Sequence, residues 1–167
     1  MTRFHCRTES AADVPAPVDE IWAVLTDPGL LASLTPLVRS IRADGDLWCW
    51  QLTGVSALGV EVAPSFTERM RLVDRERIDF RHDPPPGETE RAGADGTYTL
   101  SELGDDGTRL HIDIAIWVDL PLPRLARGAV RRVMAESMAR TGDRFAANLY
   151  SHLGIDPRRV VDRRPVG

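Results

Sequence analysis

Pro15-Ala16-Pro17-Val18-Asp19-Glu20-Ile21-Trp22-Ala23-Val24-Leu25-Thr26-Asp27-Pro28 is the stretch that decides the fold. Pro17 suits the first position of a helix, where a missing N–H costs nothing. Asp19 and Glu20 put negative charge into the first turn, where the helix dipole favours it. Val18, Ile21, Trp22 and Leu25 recur at helical spacing and make one buried face. Asp27-Pro28 caps and opens a second short helix, which Thr35-Pro36 closes. The pattern predicts helices over 17–26 and 28–34. They follow a first strand over 3–14, with Phe4, Cys6, Thr8 and Ser10 on one side.

Downstream the chain alternates. Asp44-Gly45 is a hairpin turn signal between strands over 37–43 and 46–53. A two-residue loop there pairs Ile41 with Trp48 and Arg39 with Trp50, and the second pair suits a cation–π contact worth about 0.5–1 kcal/mol. A long strand over 59–73 carries Val60, Val62, Phe66, Met70 and Leu72 on one parity. Pro64 within it marks an edge, bulge or bend. Residues 77–83 form the next strand, ended by Pro84-Pro85-Pro86-Gly87. Strands over 96–103 and 108–119 are joined through Gly104-Asp105-Asp106-Gly107. The last of them puts Leu110, Ile112, Ile114, Ile116 and Val118 on one face.

After Pro121 and Pro123 a helix runs to about Leu153, where Gly154 stops it. Its apolar stripe is Val130, Val133, Met134, Ser137, Met138, Thr141, Phe145, Leu149 and His152. Gly142 weakens it locally and suggests a kink or a close approach to something bulky. Residues 155–167 read as a short, polar, flexible tail.

Composition narrows the function classes. The chain has 167 residues with 43% apolar and 28% charged, an ordinary balance for one domain. Net charge is −4, so bulk attraction to nucleic acid is not expected. All 21 basic residues are arginine. Cys6 and Cys49 fit neither a metal spacing nor a disulfide framework, which points to a reduced, cytoplasmic setting. No run approaches a membrane span. His5, His111 and His152 lack partners at ligand spacing, so no metal is expected, and there is no phosphate loop or nucleophile elbow to imply a cofactor.

The order of one strand, two small helices, six strands and one long helix, with the entry Val14-Pro15-Ala16-Pro17-Val18-Asp19-Glu20-Ile21-Trp22, resembles the START-like helix-grip superfamily (SRPBCC), which includes polyketide cyclase/dehydrase proteins. Gly96-Thr97-Tyr98-Thr99-Leu100-Ser101-Glu102 and Gly107-Thr108-Arg109-Leu110-His111-Ile112 look like its penultimate hairpin. The resemblance covers residues 3–154, read as one domain over 1–154. It implies an α+β helix-grip fold: a seven-stranded curved antiparallel sheet wrapped around a long C-terminal helix, with two short helices between strands 1 and 2. It also implies an apolar cavity between sheet and helix.

Within that frame the parity of each strand nominates wall residues. Phe66, Glu68, Met70, Phe80, His82, Tyr98, Ile112 and Ile114 come from the sheet, and Met134, Met138, Thr141 and Phe145 from the helix. If Asp74, Arg75 and Glu76 form a three-residue turn, Met70 pairs with Phe80 and Glu68 with His82, placing an acid beside an imidazole on an apolar face. Such a pair can form a salt bridge at the rim, orient a polar group of a ligand, or carry a proton. Arg124, Arg127 and Arg131 make a basic stripe, either a solvated face or a site for a ligand carboxylate. The expected function is binding or carriage of an apolar or amphipathic molecule such as a lipid, polyketide or isoprenoid. The alternatives are a cyclase/dehydratase using Glu68 and His82, and an interaction protein or homodimer built on exposed Trp48, Trp50 or Trp117.

Overall fold

A computed structural model describes residues 1–57, 59–104 and 107–164. Asp105 and Asp106 of the expected Gly104–Gly107 connection lie outside the described residues. The elements run β1 (Thr2–Val14), α1 (Val18–Leu25), α2 (Pro28–Leu34), β2 (Val38–Asp44), β3 (Leu47–Leu52), β4 (Val55–Ala57), β5 (Val60–Val62), β6 (Ser65–Val73), β7 (Arg77–His82), β8 (Ala92–Leu103), β9 (Gly107–Leu120), α3 (Arg127–Leu153) and β10 (Val161–Asp162). Antiparallel pairing gives one sheet in the order β10-β1-β9-β8-β7-β6-β3-β2. This is the helix-grip arrangement, with a curved sheet on one side and α3 on the other.

The opening stretch folds as its residues dictate. Pro17 takes the N-cap of α1 and Val18 begins the helix. Val18, Ile21, Val24 and Leu25 are buried, and each such side chain contributes about 1.5–3 kcal/mol by leaving water. The Asp27 carboxylate accepts from the Leu30 N–H at 2.9 Å and caps α2. Asn148 on α3 donates to the Leu34 carbonyl at 2.9 Å, tying the two small helices to the long one. α3 ends at Gly154 in the left-handed conformation.

Several expectations need correction. Seven strands were expected. The main sheet has eight, and a two-stranded ribbon, β4–β5, stands apart from it. The expected strand over 59–73 breaks before Pro64, which has no N–H to give to a ladder. The β2–β3 turn is Gly45-Asp46, so Ile41 faces Trp50 and Ala43 faces Trp48. Arg39 therefore does not reach Trp50; the cation–π contact that forms is Arg3 over Trp117, 3.6 Å from the ring centroid. Trp48 and Trp50 are buried, so the interaction reading loses its two clearest surface anchors. His152 is exposed and leaves the α3 stripe, and Leu72 lies 48% exposed beyond the core at the hairpin tip. The tail folds back: Val161–Asp162 pairs with β1, and Arg163 reaches Asp13 at 2.9 Å. Asp13, bound first by Arg109 and then by Arg163, is held down to about 2.

Two apolar clusters hold the helix to the sheet. The larger joins α1, α2 and the sheet to Phe145 and Leu149. The smaller joins Phe4, Leu120 and Val130, with Val60, Val62, Leu122 and Met134 against it. Between them the inward residues of α3, from Val133 to Thr141, are only half-buried.

Gly96 and Gly142 are predicted to respond oppositely to alanine. A Cβ on Gly96 would lie 2.2 Å from the Asp113 carbonyl oxygen and 2.5 Å from Phe80 Cζ. Gly96→Ala should therefore cost about 1–3 kcal/mol, read from the urea midpoint. A Cβ on Gly142 meets nothing within 4 Å, so the expected close approach is absent there. Gly142→Ala should stabilise by about 1 kcal/mol.

Candidate functional site

The half-buried middle of α3 faces a cavity of about 720 Å³. That size lies within the usual range of small-molecule sites. The alternation of each strand sets its wall. Thr8, Ser10 and Ala12 come from β1, Ile112, Ile114, Ile116 and Val118 from β9, and Ala92, Ala94 and Tyr98 from β8. Phe66, Glu68 and Phe80 complete the sheet side. Met134, Met138, Thr141 and Phe145 form the helix side. Ten of the twelve expected wall residues thus meet at one space, and the wall is apolar almost throughout.

Glu68 is the one buried carboxyl group among the described wall residues. Its side chain points inward, as its parity predicts, and is 2% exposed. Its Oε2 has no hydrogen-bond partner among the described residues. Burial drives its pKa well above the ordinary carboxylate range, and Asp95 adds to the rise. The Trp50 indole N–H offsets part of that shift, yet it falls short of hydrogen-bond geometry and is itself buried without a partner. Tyr98 stands close by: burial first, and then Glu68, push its hydroxyl upward. Two aromatic pairs frame the group. Trp50 stacks on Phe66 at 6.3 Å and 10°, and Phe80 tilts on Tyr98 at 5.1 Å and 51°. Burial thus favours the neutral carboxylic acid form of Glu68 in an aromatic corner.

The expected Glu68–His82 pair does not form. The backbone register is the predicted one, with Glu68 opposite His82 and Met70 opposite Phe80. The imidazole, however, turns to the outer face. Its Nε2 lies 2.8 Å from Glu90 Oε2, and its ring meets Trp117 edge-on at 5.0 Å over the bare backbone of Gly93. His82 is the last residue of β7, and its N–H bonds the Asp95 side chain instead of a strand carbonyl. At a strand end the pleat no longer dictates side-chain direction, and the glycine leaves a slot for the ring. Met70 is also displaced from the wall; it is buried within the core cluster.

Trp50 is the residue that sequence reasoning missed. Its parity with Trp48 and Leu52 signals an inward face, but the hairpin register expected for it paired it with an exposed arginine. Val60 and Val62 of the β4–β5 ribbon were likewise not assigned to the wall, although they line its far end. Among the described residues no cluster of three or more His, Cys, Asp or Glu is placed to hold a metal, and no helix is long and apolar enough to cross a membrane.

Residues 5–150 match the family described as polyketide cyclase / dehydrase and lipid transport. The chain belongs to this family. Solved structures share its architecture at low identity. The Zhui aromatase/cyclase from Streptomyces aligns with a TM-score of 0.63 and 19% identity, covering 90% of this chain and 93% of that one. A START superfamily protein from Mycobacterium smegmatis aligns at 0.62 and 15%, covering 87% and 95%. A conserved protein from Geobacillus kaustophilus aligns at 0.63 and 16%, covering 88% and 95%. At these identities the likeness speaks for the fold. A comparison with curated proteins finds no match.

The raised Glu68 pKa has a stability consequence with a definite sign. Below the unfolded pKa both states keep the proton and nothing is lost. As pH climbs through the window above it, the unfolded chain releases the proton first and native stability falls. Glu68→Gln removes that dependence. Its stability relative to the parent should rise between acidic and neutral pH, measured by urea denaturation across that range; a constant difference would contradict the assignment.

Proposed function

We propose that the protein binds an apolar or amphipathic small molecule bearing a neutral oxygen function, of the lipid, polyketide or isoprenoid kind, between sheet and α3. One observation carries this reading. A buried carboxyl group with an oxygen unpartnered among the described residues stands on the wall of a largely apolar cavity. Leaving such an atom unsatisfied costs about 1–3 kcal/mol. A guest with a ketone or hydroxyl group supplies the missing bond. It accepts from the Glu68 O–H or donates to its carbonyl oxygen, and the Trp50 N–H is a second donor within the same corner. The aliphatic and aromatic walls hold the rest of the guest by excluding water.

A cyclase or dehydratase role is the second reading, and the same carboxyl group favours it. An acid whose neutral form burial favours, near a tyrosine hydroxyl, has what a general acid requires. Glu68 would give its proton to a carbonyl or departing hydroxyl oxygen, and Tyr98 would hold the substrate in place. His82, engaged with Glu90 on the outer face, has no part in that scheme.

Binding is tested with a long-chain alcohol or ketone against the alkane of equal length, each displacing an apolar fluorescent probe. Met138→Trp, which narrows the cavity, should weaken both ligands alike. Glu68→Leu should weaken the oxygenated ligand about tenfold and leave the alkane unchanged. Equal effects on both ligands would remove Glu68 from the site. Turnover of a poly-ketone substrate that is lost in Glu68→Gln would favour the second reading over the first.

A further inference from the structure

Leu125 stands almost wholly in solvent, 97% exposed. It occupies the middle of the 3-10 turn Arg124–Ala126 that leads into α3. Pro121 and Pro123 stiffen the approach to that turn. From residue 120 to residue 135 the chain carries four arginines, Arg124, Arg127, Arg131 and Arg132, and no acidic residue. All four are exposed. None forms an ion pair among the described residues.

This pattern runs against the rest of the molecule. The whole chain has a net charge of −4, and most arginines elsewhere are ion-paired among the described residues, as Arg3 is with Asp119 and Arg140 with Glu136. It also opposes the dipole of α3, whose first turn holds arginine and no acid. Unpaired like charges at the positive end of a helix repel one another and the helix. An anionic surface relieves both.

We propose that this turn docks the protein on an anionic phospholipid surface, with Leu125 entering the acyl boundary and the four arginines on the headgroup phosphates. A single leucine on a convex turn has no groove around it to receive a shaped partner. A bilayer takes such a side chain without shape complementarity, and basic residues beside an anionic leaflet add to the attraction. The position also fits. Leu122, at the base of the turn, packs with Val60, Val62 and Met134, and all four line the end of the cavity. Docking there brings one end of the apolar cavity to an apolar phase, whatever the cavity holds.

The test is flotation of the full chain with vesicles of phosphatidylcholine alone and of phosphatidylcholine mixed with phosphatidylglycerol. Binding is expected to the mixed vesicles only, and to fall as added salt shortens the Debye length. Leu125→Ser should lower partition about tenfold or more, and the double variant Arg127→Gln/Arg131→Gln should do likewise. Arg140→Gln, outside the patch, should leave it unchanged. All these side chains are exposed, so the circular dichroism and melting temperature of the variants should match the parent. The proposal fails if the mixed vesicles are not bound at low salt, if both compositions bind alike, or if the patch variants bind as the parent does. It fails equally if the patch captures an acidic protein but no vesicle.

Discussion

A straight helix cannot follow a twisted sheet along its whole length, and the rest of this molecule depends on that mismatch. Strands rotate steadily against one another, whereas α3, with 27 residues, runs roughly 40 Å as a rod. The two touch where side chains are large enough to bridge them. Phe145 and Leu149 do so toward the small helices, and Val130 does so with Phe4 and Leu120 at the other end. Between these anchors the inward residues of the helix are only half-buried. Anchoring at two ends makes the fold, and the hollow between them makes the site.

The hollow sets the chemistry of what lines it. A carboxyl group in water is ionised at neutral pH and unremarkable. Placed on an apolar wall with Asp95 nearby, Glu68 is pushed toward its neutral form instead. The same group that costs stability becomes a hydrogen-bond donor in a place where water competes poorly. Trp50 adds a second buried N–H in the same corner. A buried carboxyl group and a buried indole N–H thus stand together on the wall of a cavity built largely from aliphatic, methionine and aromatic side chains.

Legibility varied by element for physical reasons. The β6–β7 register could be read because both strands carry apolar residues at matching parity, and a slip of one residue would expose every one of them. The β2–β3 hairpin was harder. A shift of two residues preserves parity, so the pattern of tryptophans does not distinguish the observed turn at Gly45-Asp46 from the one expected at Asp44-Gly45. His82 shows the limit most clearly. Its backbone sits where the pattern puts it, but its ring direction depends on Glu90, Gly93 and Trp117, which belong to other segments. The tail strand escaped notice for a similar reason: two residues have no periodicity, and their place beside β1 rests on long-range pairing with its backbone and Asp13.

The helix caps, the alternation of the strands, the long apolar stripe and the inward parity of Glu68 were all decided by the sequence alone. Each is a local rule: side chains repeat every 3.6 residues in a helix and every two in a strand, and a cap satisfies its own first turn. Tertiary structure alone decided that sheet and helix stand apart in the middle, that Glu68 meets Trp50 and Tyr98 and not His82, and that Leu125 is left in solvent among unpaired arginines. Those outcomes depend on distances between segments far apart in the chain. No periodicity encodes them, because they arise only when a bent sheet and a straight helix are brought together in space.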